Sequence, residues 1–401
     1  MTFLQPFLQS VLEMSAGTGA TLRLVDRRFD YDSILSDASA VAGARPEFSS
    51  KLSESALRVL LRSLDEDAGL SSLGTLMAKR KLTATVANRL RLEAALGRGN
   101  AVLPREPVFI AGLPRTGTTL LHRLLAEHDE FRALRLGEVL EPFSRDKHAR
   151  DRRAAEVVRA IGWLSPAALA AHPMSVDGPA ECQHLMEATF VAAFFVHFDV
   201  PGYWQWMAKL GVEQLAEACG HYGQLVAAAT GNDGRFLSKA PAHVLYGAAL
   251  PVTFPDMWVI RTHRPAESAV PSLANLITLY RRIFSRDVSK DRAGHLALDV
   301  FRLGSQRMIE MHQRVQPGRA IDIDYLRLLA DPVGTAMAVF ERLGFDTSRR
   351  IEDRLRLRYR AERVHERSAI PYSLHHFGLT ETDIAATTSS YCEWLGQQTM
   401  L

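Results

Sequence analysis

Residues 107–119 read Pro107-Val-Phe-Ile-Ala-Gly-Leu-Pro-Arg-Thr-Gly-Thr-Thr119, and few backbone arrangements accommodate that order. The short, continuously apolar run ending in Gly112 suits a strand buried in a parallel sheet. Directly after it, Leu120-Leu-His-Arg-Leu-Leu-Ala-Glu127 has the apolar spacing of a helix. A strand passing into a helix over a glycine-bearing loop turns several backbone N–H groups, and the positive end of the helix dipole, toward one point. Further strands are expected at Arg235–Ser238, Met257–Arg261 and Arg319–Asp324, each leading into helical sequence. Asp331-Pro332 starts another helix through Leu343, with Asp as N-cap and Pro at the first helical position. The expected fold class is therefore α/β: a P-loop-like, mostly parallel sheet flanked by helices.

Ahead of that loop the pattern differs. Ser53–Leu64 and Leu82–Leu96 carry apolar residues at three-to-four spacing, so residues 1–100 are expected as a helical N-terminal part packed on the core, with 101–401 as the α/β domain. A hydrophobic share of 47% with 23% charged residues excludes wholesale disorder. The balance of 48 basic and 45 acidic residues gives +3, too little to argue for a nucleic-acid partner. The longest apolar stretch, Ala188–Phe198, ends at Glu187 and Asp199 and is about half the length of a membrane span. Three cysteines without a C-x-x-C pair support neither a disulfide framework nor a thiolate metal site, and Cys219 and Cys392 read as buried or half-buried free thiols. The N-terminus lacks a basic n-region, so a cytoplasmic protein is expected. Oligomeric state has no signature in the sequence.

Gly112 and Gly117 have the G-x-x-x-x-G spacing of a P-loop, but Thr118 and Thr119 follow where ATP- and GTP-using loops have Lys-Ser/Thr. In those enzymes the lysine reaches the terminal phosphates and the hydroxyl holds magnesium. Here the cation lies inside the loop, at Arg115, and two hydroxyls open the helix. The loop favours an anionic nucleotide donor other than a magnesium triphosphate, with no metal.

Pro114-Arg-Thr-Gly-Thr-Thr119 resembles the phosphosulfate loop of sulfotransferases that use 3′-phosphoadenosine 5′-phosphosulfate (PAPS), in the arginine form of the bacterial branch. The resemblance implies that Arg115, Thr116, Gly117, Thr118 and Thr119 hold the donor's 5′-phosphosulfate. Met257-Trp-Val-Ile-Arg-Thr-His-Arg264, followed by Ser272 eight positions on, resembles the family's 3′-phosphate segment, although Pro265-Ala replaces the usual Asp-Pro. Phe236-Leu-Ser-Lys-Ala-Pro-Ala-His243 resembles the family's segment preceding the 3′-phosphate strand, and Lys239, an isolated lysine after a buried strand, is costly unless an anion meets it. Tyr325 matches a tyrosine that lies near the adenine. Eight arginines between Arg349 and Arg367 either lend a cation to the 3′-phosphate or, interleaved with acids, form a solvated helix face. The similarity runs from Pro107 to Leu379.

The activity so implied moves a sulfuryl group from PAPS to a hydroxyl of a small, lipophilic acceptor and releases adenosine 3′,5′-bisphosphate. Arg115 and Lys239 would stabilise the transferring group, and Glu181 or His243 would take the acceptor proton, ahead of His172 and His184. Each of these has an alternative as a hydrogen-bonded structural residue. The aromatic-rich stretch from Phe190 to Trp206 either lines the acceptor pocket or packs the core. Two other readings stay open: a P-loop kinase or NTPase, for which Asp322 or Asp324 would hold magnesium, and a non-catalytic nucleotide-binding scaffold.

Overall fold

The computed structural model describes residues 28–99, 101–231, 234–363 and 372–401. Five parallel strands form one sheet in the order β2-β3-β1-β4-β5. They are β1 (Val108–Ile110), β2 (Phe131–Ala133), β3 (Arg235–Lys239), β4 (Trp258–His263) and β5 (Ala320–Asp324). Helices cover both faces, so the architecture is the α/β class expected. Val108 and Ile110 face a core shared with Leu121, Leu237, Ile260 and Phe340, while Phe109 between them faces a second core with Phe236 and Val259. That two-sided burial is why β1 reads as unbroken apolar sequence. β2 was not legible: Phe131-Arg-Ala133 is only half-buried and carries neither alternation nor a run.

Register fixes where chemistry can occur. Ile110 pairs with both Lys239 and Ile260, so β1 and β3 end side by side at their carboxyl edges while β4 runs three residues further, to His263. This is the edge at which open parallel sheets hold ligands, where the chain order reverses about the central strand.

The N-terminal helices are Tyr31–Ala42, Lys51–Glu66 and Ser72–Leu96, capped by Asp30, Ser50 and Ser71, whose side chains accept backbone N–H groups of the first turn. The last two begin earlier than periodicity suggested because these caps and polar first turns carry no apolar stripe. Their buried faces join the cluster that contains Phe109 and Phe236. These helices therefore share one core with the sheet, and residues 1–27 lie outside the described set. Contact is closest at Gly74, where an added Cβ would stand 1.8 Å from the carbonyl oxygen of Phe284. Ser71 N–H donates to that same oxygen at 2.9 Å.

At the other end, the helix Glu381–Leu395 locks onto β4 and β5. Arg261 grips Asp322 with two hydrogen bonds of 2.7 and 2.6 Å, and His263 bridges Asp322 and the Tyr391 hydroxyl. Cys219 is buried as expected, but Cys392 is exposed: its helix turns that face to solvent. Among the described residues no helix is long and apolar enough to cross a membrane.

Gly74→Ala should lower stability by about 1–3 kcal/mol, because the clash is with backbone that cannot rotate away. Gly220→Ala, in a helix with nothing within 4 Å of the new methyl, should raise it by up to about 1 kcal/mol. Denaturant midpoints of both variants check the pair; equal effects would contradict the packing described.

Candidate active site

Seven residues, Ala111 to Gly117, connect β1 to the helix Thr118–Leu125. Arg115 and Gly117 both have left-handed backbone, φ 69° and 88°. Glycine takes that region freely, whereas at Arg115 it is strained, a cost typical of sites built around a ligand. Gly112 is required sterically, since a Cβ there would lie 2.1 Å from the Thr262 hydroxyl. Thr116 shapes the loop: it is buried, and its hydroxyl bonds to the Leu113 carbonyl and to the Thr262 hydroxyl, each at 2.6 Å. Gly117 supplies no side-chain cap, so the first-turn N–H groups of Thr118–Leu125 stay free for an anion.

On one side of the loop lie two guanidinium groups. Arg115 Nε donates to Ser272 Oγ at 3.0 Å, and Arg264 donates to the Arg115 carbonyl at 3.0 Å. Arg264 also sits over the Tyr325 ring, 4.6 Å from its centroid. Burial, and then the neighbouring Arg264 charge, push the Arg115 pKa down. Among the described residues no carboxylate is bonded to either cation, and paired guanidinium groups of this kind are able to bind a phosphate.

On the other side is an ionic centre. Lys239, the last residue of β3, is 1% exposed and donates to Thr119 Oγ1 at 2.9 Å and to Glu181. Glu181 also meets His172 Nε2 at 3.3 Å and remains one-fifth exposed toward the cavity. Burial opposes ionisation of Glu181, but Lys239 and then His172 outweigh it and hold its pKa at about 2. Burial presses Lys239 down against the raising effect of Glu181. His172 falls to about 4, chiefly through burial, so it is neutral near pH 7.

Both sides open on one cavity of about 480 Å³, lined among others by Arg115, Thr118, Thr119, Glu181, Lys239, Arg264 and Tyr325. Phe195 and Val196 line it too, while Phe190, Phe194, Phe198 and Tyr203 are core residues, so the aromatic stretch serves both purposes. A larger, more open depression of about 760 Å³ lies away from the loop, and its buried Arg281 is already paired with Asp199 at 2.8 Å.

One expected site residue is elsewhere. His243 is fully buried and does not line the cavity; its ring packs edge-on against Phe109 and its Nε2 lies 3.1 Å from the Tyr222 hydroxyl. After β3 the chain enters a tight three-residue-per-turn helix, Pro241–Tyr246, which carries His243 beneath the sheet. It is a core histidine in this structure, not a proton acceptor. Asp322 and Asp324 are also committed: the first to Arg261 and His263, the second to capping Arg327 N–H at 2.8 Å. Arg354, Arg356 and Arg358 pair with Asp129, Glu352 and Glu362, the solvated-face alternative for that helix. Arg367 lies outside the described residues.

Among the cavity residues not singled out from the sequence are His122, Arg123 and Tyr280. His122, one helical turn beyond Thr118 and Thr119, was within reach of a spacing argument. Tyr280 and Arg123 had no signal. The Tyr280 hydroxyl feels the charges of Glu181 and Arg115, which sets it beside the centre of the site.

Residues 107–349 match the model of the sulfotransferase family, and this chain belongs to that family. Sulfotransferase STF1 from Mycobacterium tuberculosis H37Rv is similar at 25% identity over 90% of this chain and 98% of that one, with a TM-score of 0.73. Sulfotransferase STF9 from Mycobacterium avium shares the fold at 21% identity over 94% and 98%, TM-score 0.78. No curated protein matches the chain significantly. Sulfuryl transfer is the activity that family and fold support.

Burial holds His122, His197 and His243 at about 3, far below the 6.5 usual for histidine. The unfolded chain therefore binds more protons than the folded one between pH 6.5 and 3, so stability is full above pH 6.5 and is lost as pH falls through that window. Each group contributes roughly 1.4 kcal/mol per pH unit. Urea midpoints at pH 7.5 and 5.5 should fall steeply with acid; a flat profile would contradict the neutral burial of these rings.

Proposed function

We propose that this protein transfers the sulfuryl group of PAPS to a hydroxyl of a small, lipophilic acceptor and releases adenosine 3′,5′-bisphosphate without a metal. The observation that carries the reading is the position of Lys239, held at the loop mouth between the Thr119 hydroxyl and Glu181, with Arg115 and Arg264 on the loop's other side. Loop N–H groups from Arg115 to Thr119 receive the phosphosulfate. Arg264, Ser272 and Arg115 receive the 3′-phosphate, and Tyr325 lies against the adenine.

The acceptor oxygen attacks sulfur in line, an O–S bond forms, and the bond from sulfur to the bridging phosphate oxygen breaks. The acceptor proton passes to Glu181, and the electron pair of the broken bond leaves on the bisphosphate. Charge growing on the bridging and sulfuryl oxygens is met by Lys239, Arg115 and the helix N-terminus. Lys239 has two calls on it. While it is paired to Glu181 the carboxylate is a weak base; drawn toward a sulfuryl oxygen, it leaves Glu181 more basic at the moment a proton must be taken. We further propose residues 1–100 as a helical part packed on a catalytic domain of residues 101–401. The cytoplasm is its proposed location, in keeping with three free thiols.

Arg115→Ala and Lys239→Ala should each cut kcat by about 10² to 10³. Glu181→Gln should cut it by about 10² to 10⁴. His243→Asn, if it folds, should change kcat only a few-fold. Steady-state assays with labelled PAPS read all four; wild-type turnover in both the arginine and the lysine variants would sink the assignment.

A further inference from the structure

A second ionic centre, which sulfuryl transfer as described leaves unused, lies behind the cavity wall and reaches the cavity through His184. Glu187 closes the short helix Gln183–Glu187, and its Oε2 accepts from Lys81 Nζ at 2.6 Å. Lys81 comes from the N-terminal helix Ser72–Leu96. The same oxygen lies 3.4 Å from His184 Nδ1. Burial opposes the charge on Glu187, but Lys81 and then His184 hold it well below the usual carboxylate range. Ionised, Glu187 takes the Nδ1 proton of His184 as a hydrogen bond and leaves Nε2 of that ring as an acceptor. His172 has the mirror arrangement: its Nε2 faces Glu181, which leaves Nδ1. Both histidines line the cavity and are about one-fifth exposed.

Among the described residues, Gln183 Nε2, Glu187 Oε1 and His197 Nδ1 are buried around this centre without a hydrogen-bond partner, which is costly. Gln183 and His197, like His184, line the cavity. The wall between the two centres is apolar, with Phe195, Val196 and Leu276.

We infer that the acceptor is a diol: a compound with two hydroxyl groups on an apolar frame, one placed at His172–Glu181 for sulfation and the other held by the His184–Glu187–Lys81 relay. The inference rests on the proposed sulfotransferase reading and names its substrate class. Glu181 takes the hydrogen of the hydroxyl to be sulfated, as in the transfer step, and His184 Nε2 takes that of the second hydroxyl. Lys81 makes the N-terminal helices part of acceptor selection, since it keeps Glu187 charged. His184 and Glu187 are therefore positioning residues, and what they move is the choice between acceptors.

The test compares matched pairs: n-alkanols with the α,ω-alkanediols of equal chain length over a range of lengths, and 4-alkylphenols with the corresponding 4-(ω-hydroxyalkyl)phenols. Wild type should show kcat/KM at least about tenfold higher for the dihydroxy member. Glu187→Gln and Lys81→Met should bring the ratio close to one, with calorimetric affinity for adenosine 3′,5′-bisphosphate unchanged. His184→Asn, at a partly exposed position, should do the same and serves if the buried-pair variants do not fold. Equal turnover of both members, a preference that survives these substitutions, or no turnover of any diol by enzyme that binds the bisphosphate overturns the inference. Failure to bind the bisphosphate at all overturns the donor reading instead.

Discussion

The ion pair between Lys239 and Glu181 is the interaction on which the rest of the site depends. A lysine that is 1% exposed at the end of a central strand is tolerable only with a partner that compensates its lost hydration. The register that pairs Ile110 with Lys239 delivers the ammonium to the loop. The Lys239 carbonyl accepts the Cys182 N–H at 2.9 Å, which delivers the neighbouring Glu181 to the ammonium. Backbone geometry thus brings together charges 58 residues apart in the chain. Removing either partner leaves the other buried and uncompensated, so fold and chemistry share this pair.

Around it the site is electrostatically unfinished. Arg115 and Arg264 are bonded to hydroxyls, a carbonyl and an aromatic face. Among the described residues their charge is balanced by no bonded acid, in contrast with Arg261, gripped by Asp322, and Arg123, paired with Glu362 at 2.5 Å. An anion with two separated negative groups, one at the loop and one at Arg264, meets that imbalance. The strained left-handed backbone at Arg115 has the same logic, because it aims both the loop and the guanidinium at one place.

The loop was legible from local spacing, because an apolar run that ends in glycine and becomes a helix announces a strand end. Lys239, Arg264 and Ser272 were assigned through the resemblance of their segments to those of sulfotransferases. What was not legible is long-range or conformational. Spacing from Lys239 suggested that His243 faces the same cavity, but a tight helical turn sends it under the sheet. Lys81 and Glu187 are 106 residues apart and belong to different layers, so no pattern in the chain joins them. Tyr280 reads as one more apolar-face residue of the helix Ala266–Phe284 until the fold sets its hydroxyl near Glu181. β2 is too short and too exposed to declare itself.

The central claim is that Arg264 and the loop form a receptor for a nucleotide with separate 3′ and 5′ anionic groups. Calorimetric titration of adenosine 3′,5′-bisphosphate into wild type and Arg264→Ala, without magnesium, measures it directly. One-to-one binding that the substitution weakens by at least about tenfold, with ATP weaker still, is the result predicted. Absence of binding, indifference to Arg264, or a preference for magnesium–ATP would contradict it.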